Sequence, residues 1–141
     1  MTRHVLTLTA PLGADRKPMW LRLNGGHGNR YARADLIRTW RQLAATEARR
    51  QGLPRITDYP VRIVATVHLD TRPSRHDPTN WLPTAKAAVD GLVLHPRHGG
   101  WDVLADDDSR HVVGPDMRAG EQWADAALVL TIEPIHQEEA S

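Results

Sequence analysis

The sequence predicts a single α+β domain, a small mixed β-sheet packed with two principal helices. Three observations point there. Two segments repeat apolar residues at helical spacing, and others alternate apolar and polar residues as half-buried strands do. The length of 141 residues, with 40% hydrophobic and 25% charged, suits one compact core and leaves little room for a second. The domain is read as residues 1–136, followed by a polar tail, 137–141.

Val5 to Thr9 alternates as a first strand, and the glycine-containing stretch from Pro11 to Tyr31 reads as an irregular connection. From Ala34 to Gln51, Leu36, Ile37, Trp40, Leu43 and Ala44 recur at helical spacing, and Gly52 with Pro54 ends the run. Arg33, Arg38, Arg41, Arg49 and Arg50 are assigned to its outer face. Val61, Ile63, Ala65, Val67 and Leu69 then share one face of a strand. A second helix is expected from about Trp81 to Val93, with Asn80 as its N-cap and Pro83 tolerated in the first turn. Strands at His111 to Gly114 and Ala126 to Ile132, separated by a turn at Gly120 to Asp125, complete the prediction.

The formal charge of +1 conceals sixteen arginines against two lysines, Lys17 and Lys86, so a lysine kept beside an acidic cluster stands out. Cysteine is absent, which excludes disulfides, thiolate metal sites and a thiol nucleophile. No apolar run approaches the length of a membrane span and no signal peptide is recognisable, so a chain without membrane attachment, acting in the cytoplasm, is expected.

The chemistry-bearing residues are Asp77-Pro-Thr-Asn80, then Lys86 and Asp90, then Asp106-Asp107-Asp108. Read singly, each has a plain meaning: a turn with a helix cap, a surface pair across one helical turn, and a solvated charge run. Read together, carboxylates from separate segments with a lysine between them suit a divalent cation held against a phosphodiester. The histidines of His95-Pro-Arg-His98 have metal-like spacing, but Pro96 and Gly99-Gly100 predict an exposed loop there.

The order Arg75-His-Asp77-Pro-Thr-Asn80, Lys86, Asp90-Gly-Leu and Asp106-Asp107 resembles the RusA-like Holliday-junction resolvases, most specifically over about residues 72 to 118. An earlier segment with Asn24, Arg30 and Arg33 is similar too. The resemblance implies a Mg2+-dependent endodeoxyribonuclease, with Mn2+ able to substitute, that nicks four-way junction DNA in recombination and repair. It implies that Asp77, Lys86 and Asp107 are catalytic, that Asp77, Asp90, Asp106 and Asp107 form the metal set, and that Arg30, Arg33, Arg72, Arg75 and Asn80 contact DNA. It also implies a homodimer, since a four-way junction has two-fold symmetry and needs two nicks, and association with the nucleoid when acting. The chain departs from the better-known pattern at Thr79, where a second aspartate precedes the asparagine, in a longer gap from Asn80 to Lys86, and in an inserted loop from His95 to Val103. A catalytically silent branched-DNA-binding protein and a metal-dependent phosphoesterase of small substrates are the alternative readings.

Overall fold

The structure, a computed structural model, describes residues 3–23, 30–72, 77–95 and 99–135. Four strands, β1 (His4–Thr9), β2 (Val61–His68), β3 (Val112–Ala119) and β4 (Ala127–Pro134), form one sheet in the order β1-β4-β2-β3. β4 runs antiparallel to both β1 and β2, whereas β3 is parallel to β2. The sheet is mixed, as the sequence predicts, and helices α1 (Arg30–Arg50) and α2 (Leu82–Asp90) complete a single small α+β domain.

The strand register explains why alternation was a reliable guide. Leu8, Leu128 and Val67 lie side by side across β1, β4 and β2, as do Leu6, Leu130 and Ala65. All six are buried with Trp40, Ala44, Ala85 and Ala88 of the helices in one apolar cluster. A parallel β2–β3 pair needs a crossover that returns to the same end of the sheet. In this chain the crossover contains Asp77, a 3-10 turn (Pro78–Trp81), α2 and the acidic loop 105–110. Every expected catalytic residue therefore sits between two adjacent strands.

Several boundaries differ from the sequence expectation. α1 starts at Arg30 instead of Ala34, because its first turn, Arg30 to Arg33, lacks the apolar stripe that marked the rest of the helix. α2 is shorter than expected and has no side-chain cap at Trp81; Asp77 caps the preceding 3-10 turn, its Oδ1 accepting the Thr79 N–H at 3.0 Å. Asn80 thus lies inside that turn and is not the N-cap. β3 and β4 both run further than predicted, to Ala119 and Pro134.

The two helices meet closely. A Cβ at Gly91 would strike the carbonyl of Arg41, so only glycine allows the α2 C-terminus to sit there. Beside this contact Trp20 stacks on Trp40, with ring centroids 5.3 Å apart, and meets Trp81 edge-on. The segment before α1 is tied to α2 by the buried Thr84 hydroxyl, which accepts the Leu21 N–H at 2.9 Å and donates to the Leu21 carbonyl at 2.6 Å. Leu23 continues the attachment by donating to the Asn80 carbonyl at 2.8 Å. Among the described residues, no helix is long and apolar enough to cross a membrane.

Candidate functional site

Lys86 lies on the one face of α2 that the core leaves open: Ala85, Ala87, Ala88 and Val89 are buried around it while Lys86 is exposed. Its ammonium makes no ion pair among the described residues. The expected surface pair with Asp90 does not form. Asp90 instead places Oδ2 3.3 Å from Arg41 Nη1 and Oδ1 3.0 Å from His95 Nε2. Arg41 accordingly faces α2 and not solvent, which corrects its assignment to the outer face of α1.

The acidic loop is held from behind. The Tyr59 hydroxyl accepts the Ala105 N–H at 2.7 Å, and the Tyr59 ring meets His111 edge-on at 4.9 Å. Asp108 Oδ1 accepts the N–H groups of Arg110 and His111 and lies 2.6 Å from His111 Nδ1. That hydrogen bond to His111 holds the Asp108 carboxyl below the usual aspartate range. Asp108 therefore acts as the clasp of the turn into β3. Asp106 Oδ1 accepts the Asp107 N–H at 2.7 Å, fixing the two acids relative to each other.

Asp107 consequently faces α2. It shares a 410 Å³ cavity with Lys86 and Val89 of α2, Ser109 of the same loop, and Val112 and Gly114 of β3. Its carboxyl is pushed above the usual range, first by partial burial, then by the hydrogen bond with Asp106 and by the negative charges of Asp90 and Asp106. One acid and one lysine from two segments of the crossover thus line the same cavity, and Asp90 and Asp106 act on that acid through their charge. No family model matches the chain, and no curated protein matches it either.

The remaining candidates are not among the residues that line this cavity. Asp77 is exposed at the start of the 3-10 turn, at the opposite end of the crossover helix from Asp90, and its one side-chain hydrogen bond among the described residues is the cap to Thr79. Arg30 and Arg33 occupy the first turn of α1, Arg30 with its guanidinium 5.3 Å from the centroid of the Tyr31 ring. Arg72 is exposed beyond β2. Arg75, His76, Asn24 and His98 lie outside the described residues.

Among the described residues no three histidine, aspartate or glutamate side chains gather closely enough to enclose an ion. A magnesium ion does not need such a cage, since it commonly takes one or two carboxylates and completes its shell with water and substrate phosphate. Asp106 and Asp107 fit that demand: both are hard oxygen donors, and partial burial and then the neighbouring acids push the Asp107 carboxyl up, an opposition to its charge that a cation would relieve. Sequence reasoning missed Arg41, His95, Tyr59 and Ser109. The partners of Arg41 and Tyr59 are distant in the chain, His95 meets Asp90 five positions away through a loop that carries no helical pattern, and the type of Ser109 carries no signal beside three aspartates.

Proposed function

We propose that this chain is a RusA-like, Mg2+-dependent endodeoxyribonuclease that nicks four-way junction DNA as a homodimer. The observation that carries the reading is the shared cavity of Lys86 and Asp107, a lysine with no ion-pair partner among the described residues beside an aspartate whose ionisation is opposed by partial burial and by its acidic neighbours. Such an arrangement suits a reaction in which negative charge develops on a phosphoryl group beside a divalent cation. Asp106 and Asp107 would hold Mg2+, with Asp77 the further ligand that the resemblance implies. Bound there, the ion would neutralise phosphate charge and make water a better nucleophile. Lys86 would neutralise a non-bridging phosphate oxygen, and the arginines at the start of α1 with Arg72 would hold the DNA backbone by their forked donors.

A silent branched-DNA-binding protein is the second reading. Thr79 in place of a carboxylate and the engagement of Asp77 as a cap favour it. Incubation with a synthetic four-way junction, a linear duplex and a chromogenic phosphate ester, each with and without Mg2+, separates the readings. Cleavage confined to the junction with Mg2+ supports the nuclease; retention without cleavage supports the binder; turnover of the ester overturns both.

A further inference from the structure

Asp90 differs from the other acids of the site in that both of its oxygens are engaged, Oδ2 by Arg41 and Oδ1 by His95. Arg41 reaches it from α1 with a side chain only 17% exposed. The Arg41 Nε is buried without a hydrogen-bond partner among the described residues, and Asp90 is the one acid there that pairs with the guanidinium. The backbones beneath are locked as well, because Gly91 rests against the Arg41 carbonyl. Turning Asp90 toward a cation in the cavity would leave a mostly buried guanidinium without its counter-charge, which is costly in a poorly solvated place. Asp90 nevertheless acts on Asp107 through its charge.

We propose that Arg41 is a positioning residue of the acidic site: with His95 it keeps Asp90 behind Asp107 as a fixed, partly neutralised outer charge, outside the coordination sphere of the divalent cation. This inference rests on the metal-dependent reading above. Removing the Arg41 charge frees Asp90 to attract the ion, so binding and catalysis change in opposite directions. A residue that merely packed α1 on α2 would weaken both.

The test is Mn2+ binding to the full chain, followed by electron paramagnetic resonance, beside junction cleavage. Arg41→Met should tighten the Mn2+ Kd by about three- to fivefold, the range of a partly exposed ion pair, while slowing cleavage. In an Asp90→Asn background the same substitution should leave the Kd unchanged. If Arg41→Met proves unstable, Arg41→Gln keeps a hydrogen-bonding side chain without the charge and should tighten binding in the same direction. Weaker Mn2+ binding in either variant, or tightening that persists with Asp90→Asn, overturns the positioning role while leaving the nuclease reading in place. A wild-type chain that binds no Mn2+ ends both.

Discussion

At the scale of single residues, Asp107 is held in an electrostatic setting that works against its own charge. Its carboxyl is raised by partial burial and by Asp106 and Asp90, so its favourable contribution to stability is fully present below the unfolded pKa and is lost as pH rises through the folded one. Asp107→Asn is therefore expected to raise the unfolding temperature at neutral pH, with wild type and variant converging in acid, and to remove cleavage. A lower unfolding temperature at neutral pH would mean that the acid is structural. Asp108 behaves oppositely: its carboxyl is lowered by His111, so its contribution is present above the unfolded range and is lost as pH falls through the folded pKa. Lys86 tests the chemical half of the reading. Lys86→Ala should slow cleavage by about 100-fold with little change in junction affinity, as for a group that acts on charge in the transition state. Equal losses in rate and affinity, measured by single-turnover kinetics and gel shift, would make it an ordinary phosphate contact.

At the scale of elements, the crossover depends on how closely α2 approaches α1. Gly91→Ala would drive a methyl group into the Arg41 carbonyl, a backbone atom that cannot move aside alone, and should destabilise the fold by about 3 kcal/mol in urea unfolding. An unchanged midpoint would show that the helices part readily. The same elements show what could be read in advance. β2 was legible because Val61, Ile63, Ala65 and Val67 alternate onto one buried face, and the body of α1 because Trp40 and Ala44 recur at helical spacing. The start of α1 was not, since Arg30 to Arg33 carries no apolar stripe. Nor was the inward turn of Arg41, because its partner Asp90 lies 49 positions away and no local pattern separates a half-buried arginine from its exposed neighbours. The capping side chain is Asp77 and not the expected Asn80 for a related reason: both types cap well, and only the 3-10 turn between them decides which does.

At the scale of the whole molecule, the acids are brought together by topology more than by sequence proximity. Because β3 is parallel to β2, the chain must cross back over the sheet, and that return places the acidic loop beside α2. Of the candidate set, Asp90 and Asp106 act on Asp107 through their charge, Lys86 lines the same cavity as Asp107, and Asp77 caps the 3-10 turn at the start of the crossover helix. A four-way junction presents two equivalent strands, so a dimer carrying two such crossovers would cut it symmetrically. The most direct measurement is to map nicks on a four-way junction labelled in turn on each strand, for wild type and Asp107→Asn, across a Mg2+ titration. The account predicts paired, symmetry-related nicks that require Mg2+ and vanish with Asp107→Asn. Junction binding without a nick in Mg2+ or Mn2+, or nicks that persist in Asp107→Asn, would contradict it.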